Sequence, residues 1–493
     1  MNITLTIFYF ILILLFLFWV NKKKTSLPNF TLPIAFIVKV GFGLFFLYVY
    51  TYHYGGGELT ADAGRFFKES KTLFSVFHQS PTDFFKFIFG VNNDPQLIQH
   101  YLDSTSHWNG GDQLLPNDSR NVIRINALLL FISNGEVLIH FLFFSLASFW
   151  GGFELFQWLK KKETRFPILL LFLLTLAPSI AFWSSSIIKE PLMILGLCLV
   201  LRGIFDSLSP AKRIWRILIG ICLTLMFKPY VGILLLVALV YYFLFSRLFR
   251  LQLLSFLTFI IFLIGLLYFT NSLDRFTYII SNQQEDFMNV RDGGLYLDGD
   301  EEHFYYIYFE NRNHFEFKDG YAILKEPVGA YYMKKQENYE RFSMRLDQVG
   351  RKYPIYLSMT KAGSGLEVTP IKDSFKQLVM NVPEALYHSF LQPIPNRKSS
   401  WLQYPAFFEN ILYIVLAIIS FFIIPKRNSL NDRRIIATLL FFALSVGLIV
   451  GWTTPVSGAI VRYIIPAQVA LLVAFILQID SKKIPLKRIK HKS

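Results

Sequence analysis

Charged side chains are scarce in this chain. They make up 17% of its 493 residues, against 53% hydrophobic. A soluble protein of this length carries more charge, so the shortage excludes an ordinary globular enzyme. Cysteine is scarcer still: Cys198 and Cys222 are the whole complement. Both fall inside apolar runs, read as free thiols buried in a bundle, and reveal nothing about redox compartment. Also lacking, in any usable context, are the G-x-S-x-G, H-E-x-x-H, Walker and G-x-G-x-x-G motifs.

Apolar runs of near twenty residues are what the chain has instead, and they read as an integral membrane protein of many spans. A net charge of +15 raises the question of nucleic acid, and its distribution answers it. The clusters at 21–24, 160–165, 212–216, 247–250, 426–434 and 482–492, with Arg202, hold 23 of the 49 Lys and Arg. The same short loops and their ends hold only Glu163, Asp206, Asp432 and Asp480. This is the positive-inside pattern. Placing every basic cluster inside gives eleven spans, at 3–20, 32–51, 136–158, 166–183, 190–207, 214–228, 231–247, 251–269, 408–425, 435–453 and 461–479. The N-terminus is then outside and the C-terminus inside. The first run is followed by its basic residues, with no small-residue cleavage site, so it reads as an anchor rather than a signal peptide.

The expected fold is an all-α polytopic membrane protein in five parts. Residues 1–51 hold two spans, 52–126 a first outer loop with interfacial helices, and 127–270 spans three to eight. Residues 271–407 form a second outer loop of mixed α/β character, and 408–493 the last three spans and a basic tail. In the second loop, aromatic alternation in HFYYIYFENRNHFEFKDGYAIL predicts a small β-hairpin region. A helix over IKDSFKQLVMNVPEALYHSFL should break near Pro383. Its Tyr305, Tyr306, Tyr308 and Tyr321 would suit stacking on sugar rings, or equally a strand core.

The stretch FWSSSIIKEPL reads as an outer turn, with serines capping the next helix and Glu190-Pro191 starting it. Lys189 does not fit, because a cation at a helix N-terminus opposes the dipole unless an anion is near. It is either an interfacial anchor or a ligand for a substrate phosphate. Lys228, before Pro229, and Arg462-Tyr463 supply cations at comparable outer positions. Apart from Lys39, which can snorkel inward, few charges fall at mid-span. The first outer loop supplies carboxylates: Glu58 follows Gly55–Gly57, and Asp62 opens a helix whose Phe66, Phe67, Leu73, Phe74 and Phe77 suit the membrane interface. Asp62 is either a helix-start acid or a general base beside the membrane. Weaker candidates are Asp112 in a glycine turn and the Glu136/His140 pair, better read as a buried structural pair. LDGDEEH at 297–303 lacks calcium-loop spacing.

An acid at the start of a long first outer loop, LAPSIAFWSSSIIKEPL, and VRYIIPAQVALLVAF together resemble the GT-C superfamily of integral-membrane glycosyltransferases. The likeness covers most of the membrane portion. It implies a bacterial cytoplasmic membrane, a polyprenyl-phosphate-linked sugar donor, and a glycan, lipid or protein acceptor outside the cytoplasm. By the same resemblance Asp62 is the catalytic acid of the first loop, with Glu58 nearby, and Lys189 and Arg462 face the lipid phosphate. Lys228 and Tyr463 join them there by position. Members often carry two adjacent acids, whereas Glu58 and Asp62 are four apart, so a divalent metal cofactor stays open. Two other readings stand. An O-antigen-type polymerase or ligase would use Arg341, Arg345, Arg351 or His388. A transporter, flippase or assembly protein would do no chemistry and would show broken spans or mid-membrane charge.

Overall fold

The computed structural model describes residues 3–91, 94–108, 117–163, 165–300, 303–334, 342–371, 374–395 and 400–484. It is mostly helical, at 69%. The chain divides into two compact units. Met1–Phe259, Ile411–Val446 and Ile465–Ser493 form the first, and Ile260–Asn410 with Gly447–Ile464 the second.

The first unit opens with α1 (Ile3–Lys24) and α2 (Thr31–Tyr48), which a π-helical turn extends to His53. Three amphipathic helices follow: α3 (Ala61–Gln79), α4 (Pro81–Phe89) and α5 (Pro95–Leu102). Then come α6 (Asp118–Ser133), α7 (Val137–Leu159), α8 (Pro167–Leu176), α9 (Pro178–Trp183), α10 (Glu190–Phe205), α11 (Pro210–Phe227) and α12 (Pro229–Val240, with a π-helical turn to Phe245). Proline stands in the first turn of α8 through α12. There its missing N–H costs nothing and its fixed φ starts a helix, so proline placement cuts a long apolar stretch into short rods.

Next are α13 (Gln252–Phe269) and α14 (Leu273–Asp292), then strands β1 (Gly294–Asp298), β2 (His303–Tyr308), β3 (Phe315–Lys318), β4 (Tyr321–Leu324), β5 (Val328–Lys334), β6 (Phe342–Leu346) and β7 (Lys352–Met359). The chain ends with α15 (Phe375–Met380), α16 (Val382–Leu391), α17 (Gln403–Ile418, with a π-helical turn to Ile423), α18 (Leu430–Thr453), α19 (Ser457–Tyr463) and α20 (Ile465–Gln478).

Among the described residues, six helices are long and apolar enough to cross a membrane: α1, α2, α7, α13, α17 and α18, with a seventh if α19 and α20 count as one span. The other four expected spans are less regular. One is cut at Pro178 into α8 and α9, α10 has only 16 residues, α11 carries Lys212, Arg213 and Arg216, and α12 has 12 residues before its π-helical turn. Helix α10 nevertheless sits at the centre of the first unit, packed between α7 and α11. A Cβ on Gly196 would lie 2.8 Å from the Gly220 carbonyl oxygen, and one on Gly220 2.6 Å from that of Gly196. Only glycine allows this antiparallel crossing, the small-residue packing that membrane helices use.

The expected hairpin region is a seven-stranded antiparallel sheet in the second unit, ordered β3-β4-β7-β1-β2-β5-β6. One face buries Leu295, Leu297, Ile307, Phe315, Leu324 and Val328 among others. Tyr306 is fully buried and its hydroxyl donates to the Gly293 carbonyl at 3.0 Å, so it is a structural tyrosine rather than a sugar platform. Tyr305 packs against the core, and Tyr321 is 43% exposed. The helix expected to break near Pro383 does so, at Asn381 between α15 and α16.

Candidate functional site

The FWSSSIIKEPL stretch is not a surface turn. Ser184, Ser185, Ser186 and Ile187 are fully buried, and Ile188 nearly so. No serine caps α10. Ser184 and Ser185 instead donate back to the carbonyls of Ile180 and Ala181, and Ser186 to Trp183 at 3.0 Å. Hydroxyls that bond backward satisfy the free carbonyls at the end of α9, which in an apolar interior have no water to turn to. The segment is then clamped by its neighbours. Ser148 of α7 donates to the Ser184 carbonyl at 2.6 Å, and Gly43 of α2 packs so close to the Ser185 carbonyl that a Cβ would lie 2.8 Å away.

Lys39 completes the clamp, and here the snorkelling expectation fails. The side chain is 1% exposed and its Nζ donates to Ser184 Oγ at 2.6 Å. It points into the bundle because the broken segment offers polar atoms nearer than either membrane surface. A buried amine is costly without a partner, so this contact ties α2 to the break between α9 and α10.

The break delivers Lys189 and Glu190 into an ionic cluster. Lys189 Nζ lies 2.6 Å from Asp118 Oδ1, with side-chain exposures of 15% and 31%. Glu190 Oε1 lies 2.9 Å from Lys228 Nζ, at 0% and 6%. Three helix N-termini supply the setting. Asp118 stands in the first turn of α6 and Glu190 in that of α10, where carboxylates suit the positive dipole end; Lys189 and Lys228 are the residues just before α10 and α12. The anion that Lys189 requires is therefore Asp118, which sequence reasoning did not single out. Its one available signal was Asn117-Asp118 ahead of a helical run; Asn117 caps α6, accepting from the amides of Ser119 and Arg120.

Asp62 sits in the first turn of α3, half-buried, and Glu58 in the exposed turn before it. Gly56 and Gly57 adopt φ of 59° and 110° in that turn, values open to glycine. Helices α3 and α6 run parallel. Phe66 stacks near His107, whose carbonyl accepts from Arg120 Nε at 2.7 Å, and farther along both helices Phe74 and Phe77 meet Phe131. Asp62 and Asp118 thus open two parallel helices at the same end. The aromatic face of α3 does not lie open at an interface, since Phe66 and Leu73 are buried and Phe74 and Phe77 pack on Phe84 and Phe131. Phe85, Phe89 and Val91 are exposed apolar residues of the α4 region. Glu69 anchors the returning loop, accepting from Ser106 Oγ at 2.7 Å and contacting His107 Nδ1 at 2.9 Å. Burial raises its carboxyl, but His107 and Ser106 more than offset this, so it titrates below the ordinary glutamate value.

The remaining expected residues fall elsewhere. Arg462 and Tyr463 end α19 in the second unit, where Tyr463 packs against Phe287 of α14 and Arg462 lies over the Tyr463 ring. Arg345 pairs with exposed Asp347, and Arg351 with Gln348. His388 is buried on α16, and burial holds its imidazole below the ordinary value despite an opposing pull from Glu384. Asp112 and Arg341 lie outside the described residues. His140 does not share a proton with Glu136: its ring nitrogens contact Asn126 at 2.7 Å and Ser133 at 2.8 Å. Cys198 is buried, whereas Cys222 is exposed. Among the described residues, no group of three or more His, Cys, Asp or Glu is placed to hold a metal ion. The chain matches no family model, no curated protein and no solved structure.

Proposed function

We propose that this chain is an integral-membrane glycosyltransferase. It moves a sugar from a polyprenyl-phosphate donor to an acceptor outside the cytoplasm, and threads the membrane eleven times with its N-terminus outside. The observation that carries this reading is the half-open pair of Lys189 and Asp118 at the end of the bundle where α3 presents Asp62. Glycosyl transfer from a lipid phosphate needs a base for the acceptor hydroxyl and positive charge for the departing phosphate. In this scheme the acceptor oxygen bonds to the anomeric carbon and its proton passes to Asp62. The bond from that carbon to the phosphate oxygen breaks, and its electron pair leaves with the lipid phosphate beside Lys189. Lys228, held by buried Glu190, braces the site rather than binding substrate.

Asp62→Asn tests the reading. Transfer of labelled sugar from a polyprenyl-phosphate donor should fall by about 10²–10⁴-fold, the usual contribution of a general base, while the protein stays folded and inserted. Full activity would sink the assignment. Lys189→Ala should raise the apparent KM for donor more than for acceptor, and equal changes would remove its phosphate role.

A transport reading gains one observation of its own. The α8–α9 and α9–α10 breaks beside buried Lys39 have the form of discontinuous helices around a mid-membrane polar site. Substrate movement without bond cleavage, abolished by Lys39→Met and untouched by Asp62→Asn, would put this reading first.

A further inference from the structure

The opposite end of α7, α10 and α11 carries a second set of charges that the proposed chemistry does not use. Glu154, 4% exposed, accepts from Arg202 Nη1 at 2.7 Å and from Arg216 Nε at 2.8 Å. Asp206, 3% exposed, takes Arg202 Nε at 3.3 Å and Lys161 Nζ at 2.6 Å. Two carboxylates are thereby shared among three cations. Lys160 and Lys24 then add two more: Lys160 Nζ donates to the Lys24 carbonyl at 3.0 Å, and Lys24 Nζ lies over the Trp150 ring. Among the described residues no carboxylate pairs with either lysine. Burial, and next the charges of Arg202 and Lys161, hold the Lys160 ammonium below its ordinary value.

Indole rings mark the level of this patch. Trp19 is 47% exposed with Lys23 over its ring, and Trp215, 65% exposed, stands beside Arg216 in sequence. Tryptophan belts of this kind lie at the headgroup level of a bilayer. Basic pockets between helix ends at that depth are where acidic lipid headgroups are held.

We infer that Lys24 and Lys160, backed by Lys161, Arg202 and Arg216, form a binding site for the phosphate of an anionic phospholipid. The three backing cations are partly neutralised by Glu154 and Asp206 and hold the shape of the site. Lys24 and Lys160 supply the uncompensated charge. The phosphate enters from the headgroup layer and the acyl chains stay in the bilayer, so the requirement is a negative headgroup rather than a particular chain.

The test uses the full-length protein in neutral detergent, with thermal unfolding followed during titration by phosphatidylglycerol, phosphatidylcholine or inorganic phosphate. Phosphatidylglycerol should raise the midpoint at low mole fraction and phosphatidylcholine should not. Lys24→Gln with Lys160→Gln should weaken the phosphatidylglycerol response by roughly 30-fold, each surface cation being worth about fivefold. Should the double variant fold poorly, Lys160→Gln alone should weaken the response about fivefold. A shift produced by inorganic phosphate alone, and lost in the variants, keeps the site and makes the soluble ion its ligand. Equal responses to the two lipids, or an unchanged response in the variants, overturns the proposal.

Discussion

At one end of the α10–α11 pair, two lysines meet two carboxylates; at the other, two carboxylates serve three cations, with Lys24 and Lys160 beside them. Both clusters share α10, whose close approach to α11 is set by Gly196 and Gly220. They differ in how complete the internal pairing is. The Glu190 end balances its charge within the chain, and its inner pair is almost sealed from solvent. The Arg202 end leaves positive charge over and leaves part of it accessible, with Lys161 49% exposed. A balanced cluster specifies geometry, and an unbalanced one recruits a counter-ion. The 16 residues of α10 thus carry a rigid site at one end and an open one at the other.

The largest effect should come from breaking the sealed pair. Lys228→Met leaves Glu190 charged in an interior that excludes water, which costs about 3–5 kcal/mol when one partner of a buried pair is removed. The thermal midpoint in detergent should fall accordingly. Adding Glu190→Leu should restore most of the loss, because two apolar residues of similar size often replace a buried pair without penalty. A double variant as unstable as the single would mean that the pair, rather than its satisfaction, holds the fold.

A smaller effect is expected at the open end. Glu154→Gln removes the shared acceptor of Arg202 and Arg216, but both guanidinium groups retain some exposure, at 12% and 23%. The cost should be about 2 kcal/mol, the scale of a hydrogen bond to a charged group. The same change adds net positive charge, so the response to phosphatidylglycerol should strengthen. A weakened response would show that Glu154 shapes the site more than it opposes it.

Much of this contrast was legible in the residues. Apolar length located the six helices long and apolar enough to cross a membrane, because that signal is local and additive. Lys189 was visible as an anomaly, a cation at the wrong end of a helix dipole. Its partner was not, since Asp118 lies on α6 and only tertiary packing brings α6 against α10 and α11. Lys39 was misjudged for a related reason. Snorkelling is the default when lipid is the neighbour, and the buried serines that replace it arise from a helix break that apolarity alone conceals. The seven-stranded sheet was seen only as a hairpin because its pairings, such as β1 with β7, are distant in sequence.

Asp118→Asn is the subtlest change and the most informative about the balanced end. Asp118 is 31% exposed, so its pair with Lys189 is partly screened, and losing the charge should cost under about 1 kcal/mol. Stability therefore barely moves, while the electrostatics of the site shift: Lys189 loses its internal anion and the Glu190 end goes from balanced to net positive. If that end receives a lipid phosphate, Asp118 competes with it for Lys189, and Asp118→Asn should tighten polyprenyl-phosphate binding while making it more sensitive to salt. Binding measured at low and high ionic strength separates the two possibilities. Tighter, salt-dependent binding identifies Asp118 as the counter-ion that substrate displaces. Weaker binding would mean that Asp118 holds Lys189 in position for the phosphate, and the balanced end would then be rigid in its charges as well as in its helices.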